Sequence, residues 1–199
     1  MKYRTVAAAL YLMAVCCIGA PVTVSAPPSP SLPEKTAATD LKHYLDKALP
    51  EGFTEPLTFH VGTTAFAKQY GLGPNTLKDD QYVLRRLGND VILIGGGTRG
   101  TLYAVYRFLE DYLGIHWWTP EAESVPVHTE PFELTEFDRA ETPVFLSRII
   151  YPDNRSPKTD NGRFAIRNRL NNYGDHPITA EYGGAIRFGR PYMVHTFDW

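Results

Sequence analysis

The sharpest change of hydrophobic pattern falls at residues 91–120, VILIGGGTRGTLYAVYRFLEDYLGIHWWTP. Val91 to Ile94 is an unbroken apolar run, too short for a helix and rich in β-branched residues, which predicts a covered strand. Gly95, Gly96 and Gly97 end it, and Thr98 or Thr101 is placed to cap a helix directly after the turn. In that helix Leu102, Val105, Tyr106, Leu109, Tyr112 and Leu113 recur at helical spacing, Arg107, Glu110 and Asp111 take the other face, and Gly114 suits a C′ stop. Upstream, residues 81–87 and 90–94 flank Gly88-Asn89 as a β-hairpin. Residues 36–49 predict a helix with Ala38, Leu41, Leu45, Ala48 and Leu49 on one face, ended by Pro50 and Gly52; residues 57–61 predict a strand and 63–70 a turn or two of helix. Residues 36–135 thus read as an α/β unit with α+β packing, a small mixed sheet with two helices.

Beyond it, residues 125–135 alternate apolar and polar with Pro126 and Pro131 as breaks, as in an edge strand or extended crossing. Pro143 opens a new apolar strand, residues 144–151, ended by Pro152-Asp153-Asn154. A helix-like stretch at 162–170 and a strand-like 192–195 come next, and the sequence stops at Trp199 in mid-element. Residues 136–199 are therefore expected to open a second, incomplete domain.

The first 26 residues read as a secretory signal: Lys2 and Arg4, an apolar run from Val6 to Gly19, then Val24-Ser25-Ala26 as a cleavage pattern. The run is short for a membrane span, and Val15 and Cys16 fit poorly before a lipid-modified cysteine, so soluble export to the periplasm or the outside is expected, with no membrane contact beyond the signal. Residues 27–35, PPSPSLPEK, read as a proline-rich linker. Both cysteines of the chain, Cys16 and Cys17, leave with the signal, and with them disulfides, thiolate catalysis and cysteine-bound zinc. The formal charge of −2 becomes −4 when Lys2 and Arg4 go, and no basic patch suggests nucleic acid.

Gly95-x-Gly97-x-x-Gly100 is a literal dinucleotide fingerprint with Glu121 some twenty residues on. Three features oppose a nucleotide oxidoreductase. The strand has an antiparallel hairpin partner; the place of the next parallel strand holds His116-Trp117-Trp118-Thr119-Pro120; and an exported chain meets little free NAD. Glycines serving a tight turn and close helix–sheet packing are the better account, and no cofactor is expected.

The stretch GGTRGTLYAVYRFLEDYLGIHWWTPE resembles the signature of the small α/β domain that precedes the (β/α)8 barrel in α-glucuronidases and β-N-acetylhexosaminidases, and most nearly large exported bacterial proteins that carry an α-glucuronidase-like N-terminal domain. The likeness covers about residues 36–199. The sequence departs from it where the usual opening strand is replaced by the proline linker, unless Val22-Thr23-Val24 supplies it, and where His116 stands at a position often held by arginine. The resemblance implies that residues 144–151 are the first barrel strand and 192–195 the second, with Arg148, Asp153, Asn154 and His195 at the sugar-binding mouth. It also implies that the catalytic carboxylates come from later strands, after Trp199.

Independently of that likeness, Asp79, Asp80, Glu121, Glu123, Glu181 and Asp198 read as solvated loop acids rather than the facing pair that glycoside hydrolysis needs. The six histidines show no HExxH or HxH spacing, so no metal is expected, and GxSxG is absent. His195 at the end of an apolar strand reads as a hydrogen-bonded core residue, whereas Arg148 inside one must find a carboxylate or a ligand. Trp117 and Trp118 suit a domain interface better than a sugar platform. The expected role is the accessory domain and barrel opening of an exported, polysaccharide-directed glycoside hydrolase-like protein, the alternative a carbohydrate-binding module without chemistry.

Overall fold

A computed structural model describes residues 19–151, 161–173 and 177–186. The fold is α/β, as expected. Strands β1 (Val22–Ser25), β2 (Leu57–Val61), β3 (Tyr82–Leu87), β4 (Asp90–Gly95) and β7 (Asp138–Glu141) form one mixed sheet in the order β1-β2-β4-β3-β7. The hairpin is present: β3 and β4 run antiparallel from Leu87↔Asp90 to Tyr82↔Gly95. On its other side β4 pairs parallel with β2. A separate two-stranded ribbon joins β5 (His116–Trp117) to β6 (Glu123–Ser124).

Helices α1 (Leu32–Ala48) and α3 (Gly100–Leu113) cover one face of the sheet. Phe59, Val61, Leu84, Val91 and Leu93 point into that layer, and the alternate residues Val83, Ile92 and Ile94 point to the other, where Ala67 of the short helix α2 (Ala65–Gln69) packs with Phe66 and Leu77. Coverage on both faces is why Val91 to Ile94 has no polar alternation. Helix α3 is buried beyond its predicted stripe, Tyr103, Ala104 and Phe108 included, because α1, the sheet and helix α4 (Asn161–Arg167) surround it. Gly114 ends it at φ +66, as the pattern predicted. Neither threonine caps it: Thr98 Oγ1 donates to the Gly183 carbonyl, and Thr101 Oγ1 accepts from the Gly95 amide.

The folded unit is wider than 36–135 at both ends. Residues 22–25, assigned above to the signal, form the edge strand β1, and residues 32–35, assigned to the linker, form the first turn of α1. Ser31 caps that turn in a capping box with Glu34, and Pro33 sits in it where its missing N–H needs no acceptor. At the far end, residues 125–135 form no strand, and the edge strand is the charged β7. Its Asp138 pairs with Arg85 at 2.8 Å, its Arg139 with Asp111 at 2.5 Å, and its Glu141 accepts from the Tyr82 hydroxyl at 2.5 Å. A strand of charges also deters pairing with other chains. The apolar segment 144–151 is not a strand; it makes one isolated bridge, Ile149↔Asn172, and Val144, Phe145 and Leu146 are exposed. A barrel strand needs ladder partners on both sides, and among the described residues it has one bridge. Residues 192–195 lie outside the described residues.

Glu34 joins α1 to the sheet. Its carboxylate accepts from the Thr63 amide at 2.8 Å, the Thr63 hydroxyl at 2.7 Å, and the Ser31 amide and hydroxyl, both at 2.9 Å. Burial pushes its pKa up, but the Thr63 and Ser31 hydrogen bonds outweigh burial and hold it below the ordinary glutamate value. A depressed carboxylate pKa means stability that is present above the unfolded-state value, about 4.3, and is lost as pH falls through the folded value. Glu34→Gln should therefore lower the unfolding free energy by about 1–3 kcal/mol at pH 7, with the gap to wild type closing as the pH drops below about 4. Denaturant unfolding across that pH range checks it; a gap that stays constant would show that the carboxylate charge is not what counts.

Candidate functional site

The glycine turn is filled by the protein's own backbone. An added Cβ at Gly95 would lie 2.0 Å from the Gly100 carbonyl carbon, one at Gly96 2.2 Å from the Lys78 oxygen, and one at Gly100 2.5 Å from the Gln81 oxygen. These glycines let strand, turn and helix touch. Where a pyrophosphate would need open amides, the Asp79 side chain lies against Gly97 and the turn at Gly183-Gly184 lies over Thr98 and Arg99. The glycines serve close packing.

Beside this turn stands a buried carboxylate at a position where the sequence pattern predicts surface charge. Asp80, at φ +59, accepts from Arg99 Nε at 2.8 Å on one oxygen and from Arg148 Nη2 at 2.8 Å and Asn171 Nδ2 at 3.2 Å on the other. The Arg148 fork is spent on protein: Nε donates to the Arg169 carbonyl, Nη1 to the Phe145 carbonyl, and Nη2 also reaches the Tyr103 hydroxyl at 3.2 Å. Tyr103 in turn donates to the Leu170 carbonyl. Burial, with the Asp80 charge beside it, pushes the Tyr103 pKa well above that of a free phenol, so the ring stays a neutral donor. The cluster ties segment 144–151 and residues 169–171 to the α/β unit. Of the other expected sugar contacts, Asp153, Asn154 and His195 lie outside the described residues.

A second cluster docks α4. Asp40 stands on the buried stripe of α1 with Ala37, Leu41 and Tyr44, accepts from the Tyr106 hydroxyl at 2.8 Å, and faces Arg163 at 3.4 Å and Arg167 at 3.9 Å. The Arg167 guanidinium lies over both Tyr44 and Trp117, 5.3 Å from each centroid, and the two rings meet edge to face at 5.5 Å. Trp117 Nε1 donates to the Tyr44 hydroxyl, which donates to Glu123 at 2.5 Å. Burial and that carboxylate push the Tyr44 pKa up to about 12. Trp117 is thus a core residue, whereas Trp118 is 64% exposed, its ring tilted 31° against His116 at 5.1 Å. The Asp40 cluster is absent from the sequence-based expectations, although an acid on an otherwise apolar helical stripe was its visible sign.

Both clusters are built to hold elements together. The tyrosines are held neutral, the buried acids are bound by arginine, and among the described residues no group of histidine, cysteine, aspartate or glutamate could hold a metal ion. Nor is any described helix long and apolar enough to cross a membrane.

No family model and no curated protein matches the sequence. Among solved structures, the chain is similar to a family GH115 4-O-methyl-α-glucuronidase with specificity for decorated arabinogalactans, at 20% identity and a TM-score of 0.56. The match covers 78% of this chain and 25% of that one, so the chain spans about a quarter of the enzyme's length. What the two share is the fold of that region.

The Asp80 cluster makes a defined prediction. Removing the shared acid strands two arginines, so Asp80→Ala should cost about 3–5 kcal/mol of unfolding free energy, the scale of a broken buried pair. Arg148→Lys should cost about 1–3 kcal/mol, and the double variant less than the sum. A double-mutant cycle by chemical denaturation checks this; simple additivity would mean that Arg148 and Asp80 are neighbours without coupling.

Proposed function

We propose that this chain is the accessory α/β domain and barrel opening of an exported glycoside hydrolase-like protein acting on polysaccharide, with its catalytic carboxylates outside residues 1–199. One observation carries the reading: the fold is similar to that of a quarter of a glucuronidase, and its sheet is followed by an apolar segment fixed at Arg148 yet exposed at Val144, Phe145 and Leu146. A segment that is anchored and apolar but uncovered suits a strand whose sheet partners come from further barrel elements.

Purified chain should therefore turn over neither aryl α-glucuronides nor aryl β-N-acetylhexosaminides, whereas a polypeptide extended through further strand–helix units should. Turnover by residues 1–199 alone, abolished by replacing one of their acids, would sink the proposal.

A carbohydrate-binding module without chemistry is the second reading, and Trp118 favours it. The exposed indole beside His116 offers a flat face to a sugar ring. If it binds glycan, Trp118→Ala should weaken retention on immobilised arabinogalactan or xylan by about 1 kcal/mol while the melting temperature stays put. Equal retention of the two proteins on affinity electrophoresis would remove the feature on which this reading rests.

A further inference from the structure

The edge strand relocates the site at which the leader would be removed. Val24-Ser25-Ala26 offers small residues at the positions a signal peptidase reads, but a cut after Ala26 would excise β1 whole. That strand is integral to the sheet: Val22, Thr23, Val24 and Ser25 pair in parallel register with Leu57, Thr58, Phe59 and His60, and Val24 packs against the main core. Pairing begins earlier still. The Ala20 amide donates to the Phe53 carbonyl at 2.9 Å, and the Pro21 carbonyl accepts from the Leu57 amide at 3.3 Å. Among the described residues, backbone pairing with the sheet side of the unit thus starts at Ala20, immediately after the apolar run that ends at Gly19.

A second cleavage pattern lies at that border. Cys17-Ile18-Gly19 places small side chains three residues and one residue before the bond, with Ala20 after it. Hydrolysis there turns the Ala20 amide into a terminal ammonium, which still donates to the Phe53 carbonyl, and it leaves all the β1 pairings in place. Loss of β1 would instead bare the backbone edge of β2 and uncover part of the α1 layer.

We propose that the exported chain is cut at the Gly19–Ala20 bond, so that the mature protein begins with Ala20 and keeps its edge strand. The inference rests on the export reading above, and one experiment separates the two. The full chain is expressed with its leader in a Gram-negative host, and the N-terminus of the protein recovered outside the cytoplasm is mapped by mass spectrometry, for wild type, Gly19→Leu and Ala26→Leu. The expected result is a first residue of Ala20 in wild type and in Ala26→Leu, with uncut precursor accumulating in Gly19→Leu. An exported protein that begins at Pro27, or whose processing is stopped by Ala26→Leu, would overturn the assignment and leave export standing. A start at lipid-modified Cys16 or Cys17 would overturn it too. Wild-type chain found only in the cytoplasm and still carrying its leader would overturn export itself, and the cleavage with it.

Discussion

The fold depends on the backbone contact between Gly95 and Gly100. At that point the central strand hands the chain to the most buried helix with no side chain between them, since a Cβ on either residue would overlap the other's backbone. The closeness sets the height of α3 over the sheet, and Leu102, Val105 and Leu109 then enter a layer already shaped by Phe59, Leu84, Val91 and Leu93. Gly96 takes the next step, lying so near the Lys78 carbonyl that residues 78–81 are held against the turn. Asp80 is carried with them to the place where Arg99 and Arg148 meet it. A glycine run that resembles a phosphate cradle is therefore a packing device, and what it positions is a carboxylate of the same chain.

Much of this was legible in the residues. The hairpin, the covered strand, the glycine stop of α3 and the α/β class came from period and turn chemistry, which are local. The errors have local causes of another kind. Four prolines in residues 27–33 concealed a capping box spelled out as Ser31-Leu32-Pro33-Glu34. A small-residue cleavage pattern overlaps a strand, and Val22-Thr23-Val24, which the family resemblance also allowed as the opening strand, has equal claim to either role. Strand β7, Asp-Arg-Ala-Glu, has no apolar alternation at all; it is a strand only because β3 offers a ladder and Arg85, Asp111 and Tyr82 offer partners for its charges. Pairing of that kind is a property of the neighbour and cannot be read from the strand itself.

The candidate site was legible at one residue and opaque in its context. An arginine among apolar neighbours signals that Arg148 must find acceptors; that the acceptor is Asp80 is not signalled, because 68 positions separate the pair. The same holds for Asp40 and Arg163, 123 positions apart. Such contacts arise only after the sheet and helices have fixed their spacing. This separation also explains why the two clusters lie where they do. Segment 144–151 and helix α4 both come after the last strand of the sheet, and each is fastened to the α/β unit by a buried acid reached by arginines from the later segment.

Fastening by charge differs physically from fastening by apolar packing. An apolar surface tolerates sliding, since dispersion and burial depend weakly on register. An arginine fork between Asp80, two carbonyls and a phenol admits one position, because moving it by about an ångström leaves buried donors without acceptors. The α/β unit thereby sets the height and direction of segment 144–151, while Val144, Phe145 and Leu146 stay exposed. A unit built in this way fixes the segments that follow its sheet by position rather than by buried area. The same demand for position accounts for acids that are bound to arginine, tyrosines held neutral, and a glycine turn closed on itself.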